Sequence, residues 1–418
     1  MHDFQFKNKE LYCEDVKVQT IAREFGTPCY IYSHHTLVDH FRKIQKAFAP
    51  INPLICFAMK ANDNLAVLKT LQIEGAGFDI VSGGELKKAL MAGADPQRIV
   101  FASVGKTEDE ITEAIRTGIL FFNVESLPEL DEIQLIAENL GARVKAALRI
   151  NPDVSAPTHA KITTGTLKNK FGIDLKTARG ILKGRKKYSQ IKFCGLHVHI
   201  GSQITTAQPF IKALKKVIEF LDSLKSEGII LEYCDIGGGL GIIYKDETPQ
   251  TAADFAKAVL PLLKKTGLKI VMEPGRFIVG NAGILVTRVL YIKDNGFKKF
   301  VIVDAGMNDL IRPALYDAYH EIVPLSKRSS SKIKVDIVGP ICESGDYFAR
   351  DRLLPFVKKG DHLAVMSAGA YGYVMASNYN VRARAPEVMV KGSQFEITKP
   401  RETFEDLVRG ERIPEFLR

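Results

Sequence analysis

The stretch Leu54-Ile55-Cys56-Phe57-Ala58-Met59-Lys60-Ala61-Asn62 decides how this chain is read. Six apolar residues without polar alternation describe a strand buried on both faces, as in a parallel sheet. The run closes on lysine, and an ammonium at the mouth of a buried strand is costly unless something needs it. Seven more short strands follow, at 78–81, 99–103, 120–124, 146–150, 195–200, 233–236 and 270–272. Amphipathic stretches with helical spacing separate them, for example 65–74, 84–92, 108–116 and 130–139. Several begin after Ser or Thr and stop at Gly, as capped helices do. Strand–helix alternation implies a parallel sheet. Eight units in about 225 residues fit a (β/α)₈, TIM-like barrel, with a doubly wound open sheet as the competing fold.

The strand ends favour the barrel. Lys60 follows the first strand, Asp79 and Ser82 end the second, and Arg149 and Asn151 end the fifth. His199 ends the sixth, Gly237-Gly238-Gly239 the seventh and Glu273 the eighth. Barrel active sites are built at that C-terminal face. After about residue 280 the helical rhythm stops. Segments 284–291, 299–304, 334–338, 362–367 and 387–390 read as strands between turns, as does 29–32 near the start. The expected division is an N-terminal segment, 1–36, joining a mainly-β C-terminal domain, 280–418, around a barrel at 37–279. The Gly-Glu-Arg-Ile-Pro end, 410–414, reads as a docked tail.

Composition excludes several classes. Across 418 residues, 46% are hydrophobic and 25% charged, as in a globular chain with a large core. The formal net charge is +10, but basic residues are interspersed with acidic ones. The densest basic cluster, 326–334, is short and Ser-rich, so it reads as a solvated loop rather than a nucleic-acid surface. The six cysteines show no C-x-x-C pair or disulfide-like spacing, which fits a reducing compartment. No signal pattern and no membrane-length apolar run is present, so a cytoplasmic protein is expected.

The chemistry is read from residue types. Desolvation lowers a lysine pKa and makes a nucleophile, and Schiff-base formation with an aldehyde cofactor is the natural use of Lys60. The run Gly237-Gly238-Gly239-Leu240-Gly241 fails the dinucleotide fingerprint and lacks a P-loop lysine. It still offers bare backbone N–H groups, and with Glu273-Pro274-Gly275-Arg276 it occupies the two loops where barrels bind phosphate. The plain alternative is tight turns. Glu273 would keep a pyridinium nitrogen protonated, or else pair with Arg276 or Arg149. His197 and His199 share one strand face. No third metal ligand stands out nearby, and a ring packed on an aromatic cofactor suits His199 better. His197 reads as a hydrogen-bonded core histidine, and Ser202 as a phosphate donor. In the β region, Arg312 and Tyr316, the Cys342-Glu343 pair and Tyr371 each stand in a loop-rich string. Read alone, Cys342 would be an inert small residue and Arg312 a surface ion pair.

Nine strings together resemble the diaminopimelate decarboxylases, of the fold type III pyridoxal-phosphate decarboxylases. They are FAMKAN at 57–62, FDIVSGGEL at 78–86, GLHVHIGSQI at 195–204, DIGGGLGI at 235–242, EPGR at 273–276, IRPALY at 311–316, GPICESGD at 339–346, ARDRLLP at 349–355 and AGAYGYVMASNYN at 368–380. They keep the family's order over almost the whole chain. Phe57 stands where Tyr is more usual. The resemblance implies that Lys60 carries pyridoxal 5'-phosphate as an internal aldimine, with Asp79 among the cofactor contacts. It implies His199 on the ring face and Glu273 on the pyridine nitrogen. Ser202, Gly238, Gly239, Pro274, Gly275 and Arg276 would hold the cofactor's phosphate end, and Tyr371 would touch cofactor and substrate. Arg276, Arg312 and Tyr316 would bind a distal carboxylate and Glu343 a distal ammonium, with Cys342 the proton donor and no metal. The implied reaction is decarboxylation of meso-diaminopimelate to L-lysine, the last step of lysine biosynthesis. The implied assembly is a homodimer in which Cys342 and Glu343 reach the opposite subunit's site.

Three rivals stand beside this reading. A sister decarboxylase of carboxynorspermidine or a basic amino acid would share Lys60 and the glycine loops. Relatives acting on ornithine or arginine carry Asp after the Cys and lack the arginine-plus-tyrosine string. A pyridoxal-phosphate racemase generally sets arginine, not Glu273, at the pyridine nitrogen. A non-catalytic homologue would be expected to lack Lys60 or Cys342.

Overall fold

The structure, a computed structural model, describes residues 2–154, 170–327 and 331–418. The chain divides into two compact units, Leu37–Val279 and a second formed by Met1–Thr36 with Gly280–Arg418.

The first unit is a closed barrel of eight parallel strands. In chain order they are Leu54–Ala58, Gly77–Ile80, Ile99–Phe101, Phe121–Val124, Val144–Arg149, Ile191–His197, Tyr233–Asp235 and Lys269–Met272. Each falls on an expected strand, and closure removes the open-sheet alternative. The eighth strand pairs with the first through Met272 and Ile55, so the chain's two most reactive strand ends are neighbours. The base of the barrel is filled by Cys56, Val100, Phe121, Ala147, Cys194 and Val271, all buried.

The helices between strands carry the caps that their sequences predict. The side chains of Ser82, Thr107, Ser126 and Thr251 each accept a first-turn backbone N–H. Thr107 and Glu110 form a reciprocal capping box. Gly118 and Gly267 end their helices in the left-handed region that favours glycine.

The second unit is built on a nine-stranded sheet whose main path joins seven strands. Cys29–Ser33, from the N-terminal segment, lies between Gly283–Asp294 and Glu387–Lys391. Its residues are all buried, and the Ile31 side of the strand packs with Ile284, Val286, Val388 and Val390 in one core. Several features were not expected. A three-stranded sheet of Phe4–Lys7, Glu10–Cys13 and Val16–Lys17 opens the chain. Tyr347–Pro355 and Gln394–Lys399 are strands at the two ends of the main path. Residues 411–418 are exposed, so the Gly-Glu-Arg-Ile-Pro end is not a docked tail. The strand expected at 334–338 begins two residues earlier, as Lys332–Val338, so that end of the basic cluster is not a loop, and Arg328 lies outside the described residues. Among the described residues, no helix is long and apolar enough to cross a membrane.

Barrel closure sets a steric demand at Gly77. A Cβ there would lie 2.3 Å from the Arg98 carbonyl oxygen, which is fixed backbone. Gly77→Ala is therefore expected to cost about 1–3 kcal/mol and lower the urea midpoint. Gly180→Ala, on a helix with open space around that position, is expected to be neutral or slightly stabilising. Equal midpoints for the two variants would contradict this packing.

Candidate active site

The barrel unit gathers Lys60, Asp79, His199, Ser202, Gly238, Gly239, Glu273, Pro274, Gly275 and Arg276 at the C-terminal ends of its strands. Lys60 sits in a single 3₁₀ turn, Met59–Ala61, directly after the first strand. Its ammonium lies 2.7 Å from Asp79 Oδ2. Asp79 is fully buried, whereas the Lys60 side chain keeps 35% of its exposure, so the amine can be reached and its counter-ion cannot. Burial and the Glu273 charge push the Asp79 carboxyl up to about 6, against the pull of Lys60.

Glu273 follows the eighth strand and is itself buried. Burial acts to raise its pKa. His197, with Nε2 3.3 Å from Glu273 Oε2, outweighs burial, and Lys60 and His199 add to that effect. The carboxyl is thereby held below the usual carboxylate range. For His197 the balance mirrors this: burial opposes its charge, and Glu273 and Asp235 overcome it. Asn123 Nδ2 lies 3.2 Å from both Asp235 Oδ2 and Glu273 Oε1 and donates to them. Asp235 is pushed well up by burial and by the Glu273 charge, and its Oδ1 accepts the Gly237 N–H at 2.9 Å. Of this pair, the surroundings favour the charge on Glu273 and the proton on Asp235.

This arrangement replaces the ion pairs that the sequence left open for Glu273. Arg149 instead meets Glu125 at 2.6 Å, both buried. Arg276 donates from Nη1 to Tyr244 Oη at 2.7 Å and from Nη2 to Ser202 Oγ at 3.0 Å. The fold also supplies the neighbours that sequence spacing did not reveal for His197: ligand atoms of His197, Asp235 and Glu273 all lie within 4.8 Å. Glu273 and Asp235 favour the protonated form of that imidazole, in which the ring has no lone pair to offer a metal.

His199 differs from His197. Burial, then the charges of Arg149 and Lys60, hold it well below its ordinary pKa. Its Nδ1 accepts the Gly238 N–H at 3.1 Å, so the neutral ring carries its proton on Nε2 and is fixed by the glycine loop.

The strand ends fit an aldehyde cofactor bearing a phosphate. A Cβ on Gly238 would lie 2.1 Å from the Glu273 carbonyl oxygen. One on Gly239, at φ +108°, would lie 2.3 Å from the Gly201 carbonyl oxygen. Only bare main chain fits there, and bare main chain presents N–H groups to an anion. The eighth-strand loop lies close by, with the Pro274 carbonyl accepting the Ala58 N–H at 3.3 Å. A Cβ on Gly275 would be 2.9 Å from that of Ala61, beside Lys60.

Arg312, Tyr316, Cys342, Glu343 and Tyr371 belong to the β-rich unit. Arg312 is buried at the start of the short helix Arg312–Tyr316, and Tyr316 is half-buried. Cys342 and Glu343 are exposed on the loop after Lys332–Val338, and the Cys342 N–H donates to Asn380 Oδ1 at 3.0 Å. Asp346 braces that loop by accepting the Ile341 and Met307 N–H groups at 2.6 and 2.7 Å. Tyr371 is half-buried with φ +56°, in the left-handed region. Asn123, Tyr244 and Asp346 were not read as site residues. For Asn123 a signal existed, since an amide inside the apolar strand Phe121–Val124 needs buried partners.

The barrel and its strand ends match the model of the pyridoxal-binding domain of pyridoxal-dependent decarboxylases, over residues 34–280. A diaminopimelate decarboxylase of Aquifex aeolicus is 48% identical over 405 residues, covering 97% of this chain and 96% of the relative. Two crystal structures of diaminopimelate decarboxylases complexed with L-lysine superpose on the chain. The one from Helicobacter pylori is 42% identical with a TM-score of 0.91, over 94% of this chain and 98% of that one. The one from M. jannaschii is 38% identical with a TM-score of 0.94, over 100% of each. The chain belongs to the diaminopimelate decarboxylases, a family of pyridoxal-dependent carboxy-lyases.

The Asp79 shift has a measurable consequence. Folded, the group titrates at about 6 rather than 3.8, so it binds its proton more tightly than in the unfolded chain. Between those values the native state holds the extra proton, and stability falls as pH rises. Asp79→Asn is expected to flatten the decline of the melting temperature from pH 4 to pH 6. An unchanged slope would contradict the shift.

Proposed function

We propose that this chain decarboxylates meso-2,6-diaminopimelate to L-lysine and CO₂, using pyridoxal 5'-phosphate, as the last step of lysine biosynthesis. The observation that carries the proposal is a buried carboxylate kept charged by His197, on the strand next to the one ending in Lys60. Two relatives of closely similar fold were crystallised with L-lysine, which supports the choice of substrate.

Lys60 is the residue to hold the cofactor's aldehyde carbon, and Asp79 takes the charge of its ammonium. The neutral ring of His199 would pack on the cofactor. Gly238, Gly239, Gly275 and Arg276, with Ser202, would hold its phosphate, and Pro274 would line the cofactor site. When bound, pyridoxal phosphate supplies an electron sink for the pair left on the substrate carbon as CO₂ departs. Glu273 would hold a proton on the pyridine nitrogen and so deepen that sink.

Substrate choice falls to the β-rich unit. Arg312 suits a distal carboxylate as a bidentate fork, Tyr316 and Arg276 would bind the same group, and Glu343 suits a distal ammonium. Tyr371 would touch both cofactor and substrate. Cys342, an exposed thiol on a braced loop, gives the proton that replaces CO₂. The exposure of Cys342 and Glu343 supports a homodimer in which each subunit lends them to the other's site. We place the protein in the cytoplasm, as an enzyme without metal, nucleic acid or membrane partner. The barrel is its cofactor domain, and residues 1–36 with 280–418 its β domain.

The test is an assay of purified holoenzyme for lysine and CO₂ from meso-diaminopimelate, with ornithine, arginine and carboxynorspermidine in parallel. Turnover of diaminopimelate above the others, with a cofactor absorbance band lost in Lys60→Ala, is expected. Faster turnover of another substrate would move the assignment to a sister decarboxylase. Cys342→Ala is expected to keep the band and lose roughly 10²–10⁴ in kcat. Unchanged kcat there would remove the thiol from the mechanism.

A further inference from the structure

Arg312 is held by a partner that the sequence did not suggest. Its Nη1 lies 3.0 Å from His320 Nε2, and His320 Nδ1 lies 2.8 Å from the Met366 carbonyl oxygen. Both side chains are buried. A guanidinium nitrogen can only donate, and a carbonyl oxygen can only accept. Nε2 is therefore the acceptor and Nδ1 carries the proton, which makes the ring neutral. A second proton would set N–H against N–H and cation against cation, away from water.

The backbone on both sides of the ring is held as well. The His320 carbonyl accepts from Arg352 Nη1 at 2.9 Å, and the Met366 N–H donates to the Glu321 carbonyl at 2.8 Å. Met366 leads into Ser367, at φ +55°, and then to Tyr371, at φ +56°. Two left-handed residues within one short loop need strong anchoring at its base. His320 thus joins the helix carrying Arg312 and Tyr316 to the loop carrying Tyr371.

We propose that His320 is a positioning residue that orients the Arg312 guanidinium for a substrate carboxylate and ties it to the Tyr371 loop. The inference rests on the reading of Arg312 given above and extends it. An arginine side chain carries about 2 kcal/mol of rotamer entropy, and ordering it in advance lowers the cost of binding. A neutral acceptor does this without cancelling the positive charge. A carboxylate at the same place would compete with the substrate for it.

The experiment compares holoenzymes bearing His320→Ala, His320→Asn, His320→Gln and Arg312→Ala. Each is measured for kcat and KM with meso-diaminopimelate. Each is also measured for inhibition by L-lysine, which keeps one carboxylate, and by 1,5-diaminopentane, which has none. A structural defect would weaken both inhibitors, whereas a misplaced Arg312 weakens only lysine. The Ala and Asn variants are expected to raise KM and the lysine inhibition constant about tenfold. Their kcat and their response to diaminopentane should stay within about threefold, less than the cost of one net hydrogen bond. Gln places an amide oxygen near the Nε2 position and should recover most of the loss, while Asn reaches only the Nδ1 position. If Ala does not fold, the Asn–Gln pair decides. Unchanged discrimination between lysine and diaminopentane in the Asn variant, where Arg312→Ala abolishes it, would overturn the role of His320 alone. Unchanged discrimination in Arg312→Ala would overturn the reading of Arg312 itself.

Discussion

The ion pair between Glu273 and His197 is the constraint on which the site depends. A carboxylate inside a closed barrel would ordinarily take up a proton, because burial penalises its charge by several kcal/mol. Here the barrel sets an imidazole 3.3 Å away and an amide donor, Asn123, 3.2 Å away on the other oxygen. The cost is shifted to Asp235, whose pKa is pushed well up and whose Oδ1 accepts the Gly237 N–H. The same turn continues into Gly238 and Gly239, so the buried acid pair and the bare glycine loop share one piece of backbone. The Glu273 N–H completes this by donating to the Gly237 carbonyl at 2.9 Å.

Much of the fold was legible because a parallel barrel writes itself plainly into sequence. Its strands are buried on both faces and read as apolar runs, and its helices announce themselves with Ser82, Thr107 and Thr251 at their caps. The failures share a physical cause. The first hairpin turns at Asn8 and Lys9, both at positive φ, and a lysine at that position is not a recognisable hairpin signal. Tyr347–Pro355 carries Arg350-Asp351-Arg352 at its centre, charges that suit the end of a sheet and disguise a strand. The exposed C-terminal residues, with Ile413, Phe416 and Leu417, have an apolar content that does not translate into burial.

For the site, residue types at strand ends led to Lys60, Asp79, His199 and Glu273. Their partners were less legible, because they are joined by the fold rather than by spacing. Asn123 and Glu273 are 150 residues apart, and His320 and Met366 are 46 apart. The two histidines of one strand face show the limit of sequence reading. His197 lies against Glu273, which favours its charged form, while His199 accepts from a glycine N–H and is neutral. Nothing in His197-Val198-His199 distinguishes them; their neighbours do.

The most direct measurement is an infrared difference spectrum between the protein and its Glu273→Gln variant at neutral pH, with Asp235→Asn as the companion. The Glu273 difference should show the loss of an ionised carboxylate band, and the Asp235 difference the loss of a protonated carboxyl band. A protonated band lost from Glu273 would mean that His197 does not hold it charged, and would contradict this account of the site.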